Sequence, residues 1–370
     1  MHVVTSQGIH TLDVRVEEGT ITDIHKEIPG SGTDCDGVLV FPSLIDLHVH
    51  ARDFNQSHKE TVRTCSQAAL AGGITTIVDM PNTDPPVLTR DIFETRCKLF
   101  ERDALCDFAL HCGVVDTDEA SLNEVRKINP YRVKVYLGET TGSLIFHGDP
   151  QPLLNLNMPL SLHSDITTTR RWCALRPDML YICHIASREE IAFLSTQPVL
   201  REVTPHHLFL TRAEGPLFQV KPPLGTQDDV HSLWNHLKDI HVIASDHAPH
   251  TLEEKQAGAY GISGIETMVP LLLNAVNKRM LSLEDIALRL SENPARLLNE
   301  RLQYKKGFFV GADADFTFID LKKSWTIDAS TFASRAKHSP FDGWNITGNV
   351  VKTIVKGEVL YGAEATPAAR

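Results

Sequence analysis

The sequence predicts an α/β protein, a (β/α)8 barrel of the TIM type carrying a small β-domain built from both ends of the chain. Three observations predict it. Short β-branched runs alternate with amphipathic stretches from about residue 43 to residue 300, the order in which a parallel sheet is wound. Eight such runs are present, and eight is the count that closes a barrel. The flanks carry short alternating strands broken by glycine instead.

In chain order, residues 1–42 include TLDVRV, and residues 303–362 include ADFTFID and VVKTIVKGEVLY; together they read as the halves of the β-domain. Residues 43–302 form the barrel, with the runs SLIDLHVH, ITTIVDM, CDFALHCGVV, RVKVYL, PLSLHS, MLYICHIA, VLREVTPHH and DIHVIASDH. Helical stretches such as KETVRTCSQAALAGG and TRDIFETRCKLFERDA lie between them. The Ala/Pro-containing end, residues 363–370, reads as a frayed tail.

Hydrophobic residues make up 42% of the 370 and charged residues 22%, as expected for a globular enzyme with a sizeable core. A formal net charge of −11 offers no broad basic surface to phosphates or anionic lipid. Nucleic-acid and membrane partners therefore lack electrostatic support, and small metabolites are the expected partners. The seven cysteines are odd in number, scattered and without CxxC spacing, which argues for a reducing compartment and against a disulfide framework or a thiolate zinc knuckle. The amino terminus lacks the apolar core of a signal peptide and no run approaches membrane-spanning length, so a cytoplasmic location is expected.

The sharpest chemical signal is Asp46-Leu47-His48-Val49-His50 at the end of the first barrel run. Strand alternation sends Asp46, His48 and His50 one way and Ile45, Leu47 and Val49 the other. The outer face of a barrel must be apolar, so the histidines are expected inside, at the carboxyl end where barrel active sites lie. A lone His-x-His is weak, because a hydrogen-bonded buried histidine is the commoner case. Company strengthens it: His163 in PLSLHSD, His184 in YICHIAS and Asp246 in IASDHAPH also end strands. Four imidazoles and a carboxylate form the nitrogen/oxygen donor set that zinc prefers.

Lys134 in RVKVYLGETTG shares the inner face with Arg132 and Tyr136. An ammonium beside two divalent cations is repelled and desolvated, which favours the free amine. A free amine takes up carbon dioxide as a carbamate, an anionic donor long enough to bridge two zinc ions.

The segments FPSLIDLHVHARD, HKETVRTCSQAALAGGITTIVDMPNTDPP, KVYLGETTG, YICHIASREE, EVTPHHLFLT and ASDHAPHTLEEK resemble the dihydroorotase family. The likeness is to its lysine-carbamate type, found as a domain of the animal multifunctional pyrimidine-synthesis polypeptide, and it spans nearly the whole chain. It implies two Zn2+ per chain: one held by His48, His50 and Asp246, the other by His163 and His184, with carbamylated Lys134 and a hydroxide bridging them. It implies reversible cyclisation of N-carbamoyl-aspartate to dihydroorotate in pyrimidine biosynthesis, with Asp246 as acid and base. A homodimer and association with aspartate carbamoyltransferase follow from the same likeness.

The resemblance also implies a substrate clamp of Arg52, Asn82 and His250, and an active-site loop carrying Thr140 and Thr141. Arg52 presents a planar guanidinium suited to a bidentate carboxylate pair. Three positions depart from the animal domain: Thr141 stands for an aromatic residue, Lys221 for an arginine and Ser263 for a proline. Cys183 and Glu202 are candidates for an extra metal, or else a buried thiol and a carboxylate standing behind a ligand. Two other readings stay open: another cyclic amidohydrolase (hydantoinase, dihydropyrimidinase or allantoinase), and a metal-free relative serving as a scaffold.

Overall fold

The computed structural model describes residues 1–35, 38–140, 142, 144–298 and 300–362; Thr141 and the tail 363–370 lie outside the described residues. Five strands precede the barrel: β1 (His2–Thr5), β2 (Gly8–Thr11), β3 (Asp13–Glu17), β4 (Thr20–His25) and β5 (Leu39–Pro42). The staves follow as β6 (Ile45–Val49), β7 (Thr76–Asp79), β8 (Asp107–Leu110) and its continuation β9 (Cys112–Gly113), then β10 (Val133–Tyr136) and β11 (Leu160–His163). The ring is completed by β12 (Leu180–Ile182), β13 (Leu200–Val203) and β14 (Val242–Ile243). Neighbours pair in parallel from β6 to β8 and from β9 to β14. Just past β14, His247 bridges Val49, and the His50 amide donates to the His247 carbonyl at 2.8 Å, joining the last stave to the first. Each of the eight runs read from the sequence supplies one stave.

The connecting helices start where the sequence places caps. Thr61 Oγ1 accepts from the Thr64 amide, and Thr64 Oγ1 accepts from the Thr61 amide, at the start of α1 (Val62–Ala71). Thr89 caps α2 (Arg90–Asp103) in the same way from one side. Each such cap is worth about 1 kcal/mol. Outward-facing Val133, Val135, Leu160, Leu162, Leu180, Ile182, Val203 and Ile243 pack with the helices in one continuous core. Inward-facing Val78, Ala109, Tyr181, Cys183, Val242 and Ala244 form a second cluster together with Ala295, Leu298 and Leu302.

In β6 the structure corrects the expected alternation. Ile45 and Leu47 pack in the inner cluster, whereas Val49 packs in the outer one. The cause is a shift in the β6–β7 register between Asp46 and Val49, a bulge that inserts one residue and re-aims the side chains beyond it. His48 and His50 reach the site through this bulge, not through an unbroken period of two. Asp46 is turned toward the last stave, where its Oδ1 accepts from the amides of His48 and Ser245 at 3.1 Å each.

The two chain ends share a sheet. With β15 (Phe316–Thr326), β16 (Asn345–Val355) and β17 (Glu358–Tyr361), its order is β17-β16-β15-β5-β1-β2, while β3 and β4 form a separate hairpin. Strand β5 pairs with β1 in parallel and with β15 in antiparallel fashion, so amino- and carboxyl-terminal segments interleave. Lys306 ties this region to the barrel: its buried ammonium meets Asp107 of β8 at 2.5 Å, Asp313 at 2.9 Å and Asp315 at 2.6 Å.

Candidate metal centre

The carboxyl ends of the staves converge on one small pocket, lined by His48, His50, His163, His184 and Asp246 together with Arg52, Asn82, Tyr136, Thr140 and Lys221. Nε2 of His48 and Nε2 of His50 both point at Asp246 Oδ1, at 3.2 and 3.0 Å. Across the cavity His163 Nδ1 and His184 Nε2 approach to 2.9 Å. The His48 and His184 rings, 5.4 Å apart between centroids, link the two groups. His184 and Asp246 adopt left-handed backbone, φ 38° and 45°, which costs about 1–3 kcal/mol at a non-glycine residue and is found where surroundings enforce it.

The far sides of the His48 and His50 rings are fixed. Glu202 Oε1 stands 2.8 Å from His48 Nδ1 and accepts from the His184 amide at 2.9 Å, while its Oε2 accepts from the Tyr181 hydroxyl at 2.6 Å. Asn82 Oδ1 stands 2.7 Å from His50 Nδ1. A carboxylate or carbonyl behind an imidazole sets its tautomer and turns the other nitrogen toward a metal. This arrangement gives Glu202 the place of a supporting carboxylate. His48, Cys183 and Glu202 nonetheless keep their ligand atoms within 4.8 Å of one another, as do His48, His50 and Asp246.

Electrostatics agree with a cation-binding site. Burial drives His50 down to about 4 and His163 to about 3, and together with the neighbouring His163 it holds His184 well below the usual imidazole range, leaving neutral rings able to donate a lone pair. Burial opposes a charge on His48 too, but the Glu202 and Asp246 carboxylates outweigh it and push that ring up to about 10. Asp246 lies well below the ordinary carboxylate range, because His48 and His50 overcome its burial. A cation placed among these three residues would take the part that the His48 proton plays between two carboxylates. The donor set and its orientation therefore fit a metal ion.

Lys134 is fully buried; its Nζ donates to Cys183 Sγ at 2.9 Å and lies 5.2 Å from the Tyr136 ring centroid. It makes no ion pair among the described residues. The substrate-clamp residues are placed unevenly. Arg52 lines the cavity, but its Nε donates to the Pro249 carbonyl at 3.1 Å and its Nη2 meets His250 Nε2 at 3.1 Å, leaving Nη1 as the buried nitrogen without a partner. His250 thus stands beside Arg52, holding its guanidinium from one side. Asn82 touches the cavity while orienting His50. Lys221 sits at the mouth, 3.3 Å from Glu139 Oε2 and 4.7 Å from the Tyr260 ring centroid. Gly261 lines the wall at φ 145°, where a Cβ would fall 2.4 Å from the Ala248 carbonyl.

Several residues here were not singled out by sequence. Glu60 is buried, takes hydrogen bonds from Thr64, Ser334 and the Arg335 amide, and faces His247 at 3.6 Å. Ser263, where the animal domain has proline, joins the same cluster through His247 Nδ1 at 3.3 Å and Ser334 Oγ at 3.1 Å. No sequence signal marks Tyr260 or Glu139 as rim residues.

A barrel with histidines, a lysine and an aspartate at the ends of its staves defines a class, and a model of the amidohydrolase family matches residues 39–151 and 145–360. The chain belongs to that family. Within it the chain groups with the dihydroorotases: it is 39% identical to the dihydroorotase of Pyrococcus horikoshii over 349 residues, 88% of this chain and 81% of that one. It is 36% identical to that of Pyrococcus furiosus over 392 residues, 96% and 92% of the two chains. Multifunctional protein CAD of Squalus acanthias is 34% identical over 349 residues, 88% of this chain and 15% of that polypeptide. Among solved structures, an L-hydantoinase from Arthrobacter aurescens superposes with a TM-score of 0.90 at 27% identity, covering 99% of this chain and 95% of its own. A D-hydantoinase from Bacillus sp. AR9, at 20% identity and a TM-score of 0.85 over 99% and 95%, shares the fold.

Proposed function

We infer that the protein is a dihydroorotase, interconverting L-dihydroorotate and N-carbamoyl-L-aspartate with two zinc ions per chain. The observation that carries this reading is a cavity with two clusters of metal-donor groups on its floor and a buried guanidinium nitrogen, Arg52 Nη1, without a partner in its wall. A buried cationic donor of that kind suits an anionic ligand, and dihydroorotate carries a ring carboxylate that hydantoin and dihydrouracil lack.

His48, His50 and Asp246 would hold one zinc, His163 and His184 the other, and Lys134, as its carbamate, would bridge them. A buried ammonium that donates to a thiol and makes no ion pair is unfavourable; losing one proton to become an amine and a second on taking up carbon dioxide, it becomes a carbamate anion suited to the place. When bound, the ions supply Lewis acidity and a water acidified toward neutral pH. The protein's own groups do the rest. Asp246, ionised by its histidine neighbours, accepts the proton of the attacking water and delivers it to the departing ring nitrogen. In ring closure the same carboxyl group works in reverse. Arg52, held from behind by Pro249 and His250, grips the carboxylate and fixes which ring amide faces Asp246.

The likeness to hydantoinases supports a second reading, a hydrolase of neutral cyclic amides on the same fold. Zinc-loaded protein assayed with dihydroorotate, hydantoin, dihydrouracil and allantoin decides between them. Dihydroorotate is expected to exceed the others in kcat/KM by at least about a hundredfold, the scale of one charged pair; comparable or faster turnover of a carboxylate-free ring would overturn the assignment. The homodimer and an association with aspartate carbamoyltransferase remain part of the proposal, the latter supported by the match to one stretch of a multifunctional polypeptide. No described helix is long and apolar enough to cross a membrane.

A further inference from the structure

The chain leaves β6 through an unusual stretch of backbone. Arg52, Asp53 and Phe54 follow one another at φ 51°, 61° and 48°. Left-handed backbone is disfavoured at every residue but glycine and is normally visited singly, so three such residues in a row persist only where their surroundings hold them. Part of the hold is local. The Asp53 amide donates to the Glu60 carbonyl and the Asn55 amide to the Asp84 carbonyl, both at 3.0 Å, and Asp53 Oδ2 accepts from the Val62 amide at 2.9 Å where α1 begins. These bonds secure the exit of the turn.

The rest of the hold comes from one side chain of the helix α2. Arg96 is fully buried, and its guanidinium lies between the rings of Phe54 and Phe100, 5.1 and 4.9 Å from their centroids. Its edge pairs with Asp79 Oδ2 at the end of β7, through Nε at 3.0 Å and Nη2 at 2.9 Å. The other oxygen of Asp79 accepts from the Ala51 amide at 2.9 Å. Arg96 therefore grips the residue before the turn through Asp79 and the residue that ends it through the Phe54 ring. Arg52 lies between the two grips. A planar cation stacks on two faces and pairs along one edge at the same time, which neither a lysine nor an apolar side chain can do. A buried ion pair adds little stability beyond that of an apolar pair of the same size, so what this one supplies is position. It fixes the Ala51 amide and the Phe54 ring, and with them the direction in which the Arg52 side chain leaves the backbone.

We propose that Arg96 is a positioning residue of the reaction, holding the left-handed turn Arg52–Phe54 from α2 and thereby aiming the Arg52 guanidinium at the substrate carboxylate. This rests on the dihydroorotase reading. Arg96 acts only through Arg52, so its loss is felt by ligands that carry a carboxylate and not by the metal site.

Two variants separate aim from stability. Arg96→Lys keeps a charge beside Asp79 and gives up the stacked plane; Arg96→Met combined with Asp79→Asn removes both charges together, so no buried carboxylate is stranded and an amide oxygen remains for Ala51. Both are compared with wild type at matched zinc content for kcat and KM with dihydroorotate, and for the Kd of orotate by calorimetry, orotate being a carboxylate-bearing ring that hydrolysis does not consume. KM and the orotate Kd are expected to rise together by about tenfold while kcat changes by less than about threefold. In an Arg52→Gln background neither variant should move the orotate Kd further, since residues that act through one another are not additive. The same rise in that background, or an unchanged Kd with Arg52 present, overturns the proposal. So does a loss of zinc in step with activity, which would make the turn a support of His50 instead. If neither variant folds, Phe54→Leu, which leaves the Arg96–Asp79 pair in place, carries the same expectation and the same refutation. Wild type that fails to hydrolyse dihydroorotate refutes the dihydroorotase reading and takes this proposal with it; an active wild type with unaffected variants removes only the role of Arg96.

Discussion

Replacing Glu202 with glutamine isolates the charge behind the metal site from its shape. Glu202 is fully buried and makes three hydrogen bonds, to His48 Nδ1 at 2.8 Å, the His184 amide at 2.9 Å and the Tyr181 hydroxyl at 2.6 Å. Burial disfavours its charge, but His48 holds it below the ordinary carboxylate range. A glutamine amide oxygen can still serve His48 and His184, with its NH2 turned to the tyrosine oxygen, so the geometry survives. What goes is the charge assistance, roughly 1 kcal/mol for each bond, or about 2–3 kcal/mol in all. Loss of a group that orients a ligating histidine typically weakens metal binding by about tenfold to a hundredfold, or about 1.4–2.7 kcal/mol, the same scale. Zinc retention is measured by competition with a coloured chelator, followed by activity in excess zinc. The expected result is retention weakened by that factor, with most of the activity recovered once zinc is saturating. Unchanged retention would refute the supporting role; loss of one whole ion at saturation would make Glu202 a ligand.

Three further outcomes follow from the structure. Lys134→Ala should abolish activity with an unaltered far-ultraviolet dichroism spectrum, since only the bridging anion is lost; near-normal turnover would rule out the carbamate. Lys306→Met strands Asp107, Asp313 and Asp315 without their shared ammonium and should cost about 3–5 kcal/mol in urea unfolding, whereas a loss under about 1 kcal/mol would show that water or protons replace the lysine. Glu266, in the helix Ile265–Asn277, accepts from the Ala333 and Ser334 amides at 2.9 and 3.0 Å, yet burial raises it from 4.5 to about 7. Between those values the folded protein keeps a proton that the unfolded chain has released, so stability falls as pH rises through the window, by up to about 3 kcal/mol. Compared with Glu266→Gln, wild type should show that fall in melts from pH 4 to pH 8; parallel curves would contradict it.

The eight staves were legible because each is a short β-branched run with a turn or a helix cap on either side, and the packing of Val133, Val135 and Leu137 follows from alternation alone. His163, His184 and Asp246 were legible because each ends such a run. The β6 bulge was not, since an inserted residue between Asp46 and Val49 changes no residue type and is visible only against its partner strand. His250, read as part of the substrate clamp, meets Arg52 Nη2 at 3.1 Å, a contact between residues about 200 positions apart that no local pattern encodes. Glu60 and Ser334 are 274 residues apart and meet only after the chain ends fold back onto the barrel; no local pattern encodes such a contact. Thr141, where the family's aromatic residue is replaced, lies outside the described residues.

The bridge between Val49 and His247 has a consequence for how the protein comes into being. His48 and His50 sit on one side of that seam and Asp246 on the other, about 200 residues along the chain. No partly assembled barrel that lacks its last stave can bring these three together, so an unfinished chain cannot offer an ion the His48, His50 and Asp246 group. The loop that must close is long, although its entropy grows only with the logarithm of its length. An ion held across the seam would act as a clasp on the last joint to form, and its capture would report that the ring is whole. Nascent or truncated chains would then be distinguished from finished ones by what they can hold, before any substrate is met.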